Sequence, residues 1–182
     1  MQEIEIKIKI DKDKLHQLEE KLYSPVVKSP NWIFERTYGF FSDTSREQGI
    51  FPRVKVRGNS CMAGVKIKKQ EDKGYFMREE YEFEMPELEA IKMWKDLGFK
   101  EVRIFEKLRK LYDSYREYSV CLDRLPFGIY VEVEGDKDKI EEVIKELDLG
   151  KYERITKAYL RLVDELGLKN AIFGGGEIES KS

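Results

Sequence analysis

The sequence opens with MQEIEIKIKI, residues 1–10, in which charged and apolar side chains alternate from the third position onward. Isoleucine occupies the even positions of this run, and the odd positions carry two glutamates followed by two lysines. Since successive side chains of a β-strand point to opposite faces, the alternation predicts a strand with one apolar face and one charged face. The charged face carries both signs.

Seven further stretches have the alternation or the apolar content of strands, and turn-forming residues separate them. They are residues 32–41, 53–57, 62–69, 75–85, 101–111, 119–123 and 129–134. Connecting pieces such as RGNS and QEDKG are short and polar, which favours antiparallel neighbours. The sequence therefore predicts about eight strands.

Four stretches have the spacing of apolar side chains that is typical of amphipathic helices. The first follows Asp11, which can cap it, and the second begins at Pro86 and stops near Gly98. The other two, residues 138–150 and 155–167, each end at a glycine.

Composition limits the classes of function. Lys and Arg number 34 and Asp and Glu 36, so the net charge of −2 gives no general attraction to nucleic acid or to an acidic membrane. No run has the length and apolarity of a signal peptide core or a membrane span, so we expect a cytoplasmic protein. Cys61 and Cys121 lie far apart with no histidine nearby, so we expect reduced thiols. We expect a single domain over residues 1–172 and a flexible C-terminal tail over residues 173–182.

The charged strand positions form a basic set and an acidic set. The basic set is Lys7, Lys9, Arg53, Lys55, Arg57, Lys66, Lys68, Lys107 and Arg109, and the acidic set is Glu3, Glu5, Glu80, Glu82, Glu84, Asp123, Glu132 and Glu134. A sheet with one wet face would explain this pattern. A barrel would also explain it, because every second side chain of a barrel strand points inward and helices are available to cover an apolar outer face. We therefore expect an α+β fold, a closed eight-stranded antiparallel β-barrel that forms a tunnel with a charged interior, flanked by about four helices.

A charged interior of this kind predicts a polyanionic ligand. Lysines and arginines clustered at reduced dielectric repel one another strongly, so they need counter-charge. A polyphosphate suits them, because arginine forks bind phosphate oxygens in pairs and lysines supply point charges. Carboxylates alone would repel such a substrate, so their presence beside the cations indicates Mg²⁺ or Mn²⁺ bridging the same oxygens.

A series of short motifs resembles one family of proteins. Glu3, Glu5 and Lys7 stand as ExExK in the first strand, and FERTYGFF, VKVR, VKIKK, REEYEFE, EKLRKLY, VCLDRL, YVEVE and TKAYLRL follow. In this order they resemble the CYTH family, also called triphosphate tunnel metalloenzymes, over roughly residues 1–162. That family takes in class IV adenylate cyclases, thiamine triphosphatases and inorganic triphosphatases.

The resemblance and the strand pattern together imply the site residues. Two would orient the attacking water, namely Tyr38 and Lys68, although Tyr38 could equally be a barrel aromatic with one hydrogen bond. Those expected to bind the triphosphate are Lys7, Arg53, Lys55, Arg57, Lys66, Lys68, Arg78, Lys107, Arg109 and Lys157. Those expected to hold or support metal ions are Glu3, Glu5, Glu80, Glu82, Asp123, Glu132 and Glu134. The sequence departs from the family where Lys55 replaces the usual arginine and where no glycine and proline follow Lys68, so Lys66 and Lys68 could exchange places.

The function that these residues imply is metal-dependent hydrolysis of a triphosphate, with tripolyphosphate, thiamine triphosphate or a nucleoside triphosphate as substrate. A class IV adenylate cyclase, which converts ATP to cyclic AMP and pyrophosphate, is the alternative, and a non-enzymatic polyphosphate or nucleotide sensor is a second one. The full glutamate set of REEYEFE and the lack of an adenine-reading motif favour hydrolysis. We expect the protein to act on this small molecule without nucleic acid or membrane, as a monomer or homodimer.

Overall fold

The computed structural model describes residues 2–22, 31–69, 75–113 and 118–174, which contain nine strands and five helices. The strands are β1 (Gln2–Ile10), β2 (Ile33–Phe41), β3 (Ile50–Arg57), β4 (Ser60–Lys68), β5 (Phe76–Glu84), β6 (Glu101–Asp113), β7 (Tyr118–Leu125), β8 (Gly128–Gly135) and β9 (Arg154–Ile155). The helices are α1 (Lys12–Lys21), α2 (Asp43–Glu47), α3 (Glu87–Asp96), α4 (Lys137–Glu146) and α5 (Tyr159–Glu165). The sequence patterns did not predict the short α2 and β9.

Eight strands close into an antiparallel barrel in the order β5-β4-β3-β2-β6-β7-β8-β1. β1 closes it by pairing with β8 on one side and with β5 on the other, where Glu3 lies opposite Arg78. β9 adds to β1 opposite Lys7 and Ile8. The closed eight-stranded antiparallel barrel that the sequence predicted is confirmed.

The apolar faces of the strands point outward, and helices cover them. Ile6 and Ile8 of β1 pack with Leu18 of α1 and Ile140 of α4 in one buried cluster. A second cluster places Ala90 of α3 against the outer faces of β2, β3 and β4. The apolar core therefore lies between the barrel and its helices, which leaves the inner face to polar side chains. Within the described residues, no helix is long and apolar enough to cross a membrane.

Helix α5 differs from the others because it packs on inward-facing residues at one end of the barrel. Gly39 of β2 leaves room for it, since a Cβ at that position would lie 2.5 Å from Leu160 Cδ1. Tyr159 is buried and packs with Leu125 and Tyr130, which lie on either side of the turn between β7 and β8. The first turn of α5 therefore contacts the interior itself.

The segment after α5 is fixed to the edge of β6. Arg103 Nε donates to the carbonyl of Lys169 at 3.0 Å. The N–H of Ala171 donates to the carbonyl of Ile104 at 2.9 Å, and the N–H of Glu106 donates to the carbonyl of Ala171 at 2.8 Å. These bonds add one short parallel bridge to β6 and hold α5 at the barrel end.

Gly64 of β4 is a position where the barrel has no room for a side chain. A Cβ there would lie 2.5 Å from the backbone oxygen of Tyr81 and 3.2 Å from Glu82 Cα, both on β5. We expect Gly64→Ala to lower the free energy of unfolding, measured in urea, by about 1–3 kcal/mol, because the two strands must separate locally. Gly150→Ala is the matched control, since nothing lies within 4 Å of a Cβ at Gly150. Equal losses in the two variants would contradict this explanation.

Candidate active site in the barrel interior

Strand register determines which side chains share the interior. Glu35 of β2 lies opposite Arg57 of β3 and Lys107 of β6, and the same face continues at every second residue around the barrel. Most of the predicted site residues lie on this face. They are Glu5, Lys7, Arg53, Lys55, Arg57, Lys66, Lys68, Arg78, Glu80, Glu82, Lys107, Arg109, Asp123, Glu132 and Glu134.

About half of these charged side chains are buried, and oppositely charged side chains lie beside one another. Charged groups persist at such depth only when opposite charges meet them. Interior carboxylates that lie within 4 Å of a lysine or arginine include Glu5, Glu35, Glu80, Glu82, Asp123 and Glu132. These interior carboxylates therefore supply counter-charge to the cations from within the chain.

Asp123 of β7 is fully buried and is surrounded by three donors. Its Oδ1 accepts from Arg109 Nε at 2.6 Å, and its Oδ2 accepts from Lys107 Nζ at 3.2 Å and from the Tyr159 hydroxyl at 2.8 Å. Burial, and then the charge of Asp123, raise the pKa of Tyr159 well above its usual value, so this hydroxyl remains a donor. The Tyr159 ring centroid also lies 5.3 Å from Lys7 Nζ. Tyr159 thus connects α5 to the charged interior.

Glu5 and Lys7 of β1 form a second centre with Glu132 of β8. Lys7 Nζ lies 2.6 Å from Glu5 Oε1 and 3.5 Å from Glu132 Oε2, and Arg109 Nη2 lies 3.1 Å from Glu132 Oε1. Burial by itself would raise the pKa of Glu5, but Lys7 and other nearby cations outweigh it and hold that pKa at about 2. At Glu132, burial again acts to raise the pKa, but Arg109 and Lys7 outweigh it and hold the pKa of this carboxyl well below its usual range. Both acids are anionic at neutral pH.

A third centre joins β3, β4 and β5. Glu82 lies 2.6 Å from Arg53 Nη2 and 2.9 Å from Lys55 Nζ, while Glu80 lies 2.9 Å from Lys66 Nζ and also pairs with Arg53. Burial and then the positive charge of Arg53 lower the pKa of Lys55. Together, the three centres place acidic and basic side chains next to one another around the inner wall of the barrel.

Glu35 of β2 is an interior residue that the sequence patterns did not single out. It is 1% exposed, and its Oε2 accepts from Arg57 Nε at 3.1 Å and Nη2 at 2.9 Å. Its Oε1 lies 3.5 Å from Lys107 Nζ and 3.6 Å from Arg109 Nε. Burial would raise its pKa, but Lys107, Arg109 and Arg57 hold that pKa at about 2. The alternation in FERTYGFF is a weak signal for Glu35, because Arg36 places a charge on the other face as well.

Comparison with known proteins agrees with this geometry. A family model described as the CYTH domain matches residues 1–159, which is most of the chain. The chain belongs to the CYTH family. It is 30% identical over 176 residues to a protein of Methanocaldococcus jannaschii named "putative adenylate cyclase", a match that covers 89% of this chain and 98% of that protein.

Solved structures share the CYTH fold of this chain. A protein of Pyrococcus horikoshii OT3 superposes with a TM-score of 0.71 at 23% identity, over 88% of this chain and 98% of that one. A protein from Hippeastrum, described as an adenylyl cyclase candidate with a dominant triphosphatase activity, superposes with a TM-score of 0.65 at 18% identity, over 91% of this chain and 96% of that one. At these identities the likeness establishes the fold.

Some residues assigned from the CYTH motifs do not join the interior. Tyr38 occupies an even position of β2, whereas the inward face takes the odd ones, and its hydroxyl donates to Glu87 of α3 at 2.8 Å. Its position gives no support to the catalytic role that we predicted. Lys68 lies on the inward-facing side of β4, opposite Arg78, but it is exposed at the end of that strand. Lys157 is exposed and lies 2.7 Å from Glu165. The side chain of Glu3 lies outside the described residues.

Carboxylate oxygens are the ligands that Mg²⁺ and Mn²⁺ prefer, and the interior of this CYTH barrel provides them. Glu5 of β1 lies opposite Glu134 of β8, and Glu132 follows on the same face of β8. Among the described residues, however, no three acidic, histidine or cysteine side chains converge as a ready metal site. The donor chemistry therefore fits these ions, but the acids would have to exchange lysine or arginine partners for the metal.

The low pKa values of Glu5 and Glu35 make stability sensitive to acid. Each pKa falls from 4.5 to about 2 in the folded chain, so the unfolded chain takes up protons first as the pH falls. The stabilisation is fully present above about pH 4.5 and is lost between about pH 4.5 and pH 2. We expect the free energy of unfolding, measured in urea from neutral pH down to about pH 2, to fall most steeply in that window. Glu35→Gln should fall less steeply, and an unchanged pH profile in that variant would refute the linkage.

Proposed function

We propose that this CYTH protein is a metal-dependent phosphoryl-transfer enzyme that binds a triphosphate inside the barrel and hydrolyses it. The observation that supports this proposal is the convergence of cations from five strands on one enclosed interior. These cations are Lys7, Arg53, Lys55, Arg57, Lys66, Arg78, Lys107 and Arg109. Burying so many cations costs free energy even when carboxylates meet them. Binding of a ligand with several negative charges along its length would explain why so many cations converge there.

Phosphate oxygens would replace interior carboxylates as partners of the cations. Arg57 and Arg109 present planar forks that match two phosphate oxygens, and Lys7 and Lys107 add point charges beside them. Asp123 would keep Lys107 and Arg109 oriented throughout, because it bonds both of them and is fully enclosed. Phosphoryl transfer needs little covalent assistance beyond holding the phosphates in line and neutralising their charge.

The interior acids on β1 and β8 are the residues that would hold Mg²⁺ or Mn²⁺. Glu5, Glu132 and Glu134 supply oxygens on adjacent strands, and their pairing across the two strands supports this choice. Such an ion, when bound, would neutralise phosphate charge and lower the pKa of a coordinated water molecule. Acids that bind the metal would release Lys7 and Arg109 toward the phosphates.

A class IV adenylate cyclase is the second candidate. The name of the M. jannaschii relative favours it, since that relative covers nearly the same length as this chain. The same cations would hold ATP while the ribose 3′ oxygen attacks the α-phosphate and pyrophosphate leaves. A non-enzymatic sensor of polyphosphate or nucleotide is the third reading, and it would need the cations but not the acids of β8.

A product assay distinguishes the three functional hypotheses. The purified protein is incubated with Mg²⁺ or Mn²⁺ and, separately, with ATP, thiamine triphosphate and tripolyphosphate, and the products are resolved chromatographically. We expect orthophosphate to be released from at least one of these substrates. Cyclic AMP as the main product would replace hydrolysis by cyclisation, and binding without turnover of any substrate would favour the sensor.

Replacement of Glu132 by Gln tests the acids directly. The variant keeps the shape of the side chain but removes a charge that lies between Lys7 and Arg109. We expect kcat to fall by on the order of 10²-fold or more, because a preorganised charge is lost from the reacting centre. Glu106→Gln is the matched control, since Glu106 is 2% exposed and pairs with Arg36 on the outer side of the barrel. A kcat within about twofold of wild type for Glu132→Gln, with circular dichroism confirming that both variants are folded, would remove Glu132 from the mechanism.

A further inference from the structure

Glu35 stands apart from the other interior acids in its surroundings. One carboxylate lies within ion-pair distance of three cations, Arg57, Lys107 and Arg109, which come from β3 and β6 on either side of it. All three cations belong to the proposed triphosphate-binding set. Glu35 is therefore placed where a phosphate group would be expected to make its contacts.

The two oxygens of Glu35 are held differently. Oε2 accepts two hydrogen bonds from the Arg57 guanidinium, at 3.1 Å and 2.9 Å. Oε1 is enclosed and accepts no hydrogen bond from any residue in the described parts of the chain, although Lys107 and Arg109 lie 3.5 Å and 3.6 Å from it. A buried charged oxygen in this state is held mainly by electrostatic attraction. Cations held in this way can change partner without breaking a direct hydrogen bond to Oε1.

Asp123 is the contrasting case, because its oxygens accept from Arg109, Lys107 and Tyr159. Movement of the Asp123 carboxylate would break these hydrogen bonds. Arg57, in contrast, keeps 33% of its side chain exposed, so the cation most directly bonded to Glu35 can reach an entering ligand.

We propose that Glu35 is a built-in counter-anion for the phosphate-binding cations: it holds Arg57, Lys107 and Arg109 in place before substrate enters, and it yields them to phosphate oxygens when substrate binds. The inference rests on the proposed function, since it requires the interior to bind a polyanion. The consequence is that Glu35 weakens anion binding. An anionic ligand must replace the Glu35 carboxylate as partner of the cations, and it then lies beside the negative charge of Glu35. Such an acid limits affinity for substrate and for the phosphate products alike.

The test measures tripolyphosphate binding by isothermal titration calorimetry, with a chelator present so that no metal contributes. In Glu35→Gln an amide oxygen can still accept from Arg57, while the competing charge is gone. We expect tripolyphosphate to bind this variant about tenfold or more tightly than wild type. Glu35→Asp, in which the charge is retained but withdrawn from the cations, should bind with an affinity between the two. Glu106→Gln, which removes an equally buried charge on the outer side, should bind like wild type.

Thermal unfolding gives a second readout that a purely structural role would not produce. Without ligand, Glu35→Gln should melt below wild type, because three cations lose their shared partner. Tripolyphosphate should then raise its melting temperature more than it raises that of wild type. If Glu35→Gln does not fold, the Glu35→Asp variant must still bind more tightly than wild type for the inference to stand.

The outcomes separate this inference from the proposed function. Equal or weaker tripolyphosphate binding in the Glu35 variants, with a wild-type protein that hydrolyses triphosphates, overturns the role of Glu35 alone. Tighter binding in the variants of a wild-type protein that shows no turnover supports the counter-anion and overturns the enzyme. Absence of binding in wild type and variants overturns the counter-anion, and absence of turnover by wild type with Mg²⁺ or Mn²⁺ as well overturns the enzyme.

Discussion

A charge enclosed in a protein must meet a charge of opposite sign, and this constraint organises the whole barrel. Lysines and arginines from five strands share the interior with acids from β1, β2, β5, β7 and β8, and the acids lie close enough to pair with them. No single pair accounts for the arrangement. Arg109, for example, lies within 4 Å of three acids, Glu35, Asp123 and Glu132. The interior is therefore a network whose members hold one another in place.

The same constraint explains why the fold is inverted relative to an ordinary barrel. A charged interior cannot supply hydrophobic stabilisation, so the apolar faces of the strands must be buried elsewhere. Helices α1, α3 and α4 provide that burial outside the barrel, where Leu18, Ala90 and Ile140 pack against the strands. The barrel wall thus separates an apolar layer from a charged one, and each strand needs alternating side chains to serve both.

Helix α5 brings the C-terminal part of the domain into this network. Tyr159 reaches Asp123 from the barrel end, and the following segment is bonded to β6 through Arg103 and Ala171. Because Asp123 also bonds Lys107 and Arg109, the position of α5 and the orientation of the interior cations depend on one carboxylate. The motif TKAYLRL contains this tyrosine, but its charged residue Lys157 drew the sequence-based assignment, and Lys157 lies outside the interior.

The sequence by itself determined the strands, the main helices and the face on which most charges lie. Alternation with a period of two is a local property of a strand, and it survives in any tertiary context. Only the tertiary structure decided which charges meet. The register of β2, β3 and β6 placed Glu35 among three cations and placed Tyr38 against Glu87. The packing of α5 at the barrel end placed Tyr159 against Asp123. These are contacts between residues far apart in the chain, and their partners depend on strand pairing and on distance, which no local spacing of residues encodes.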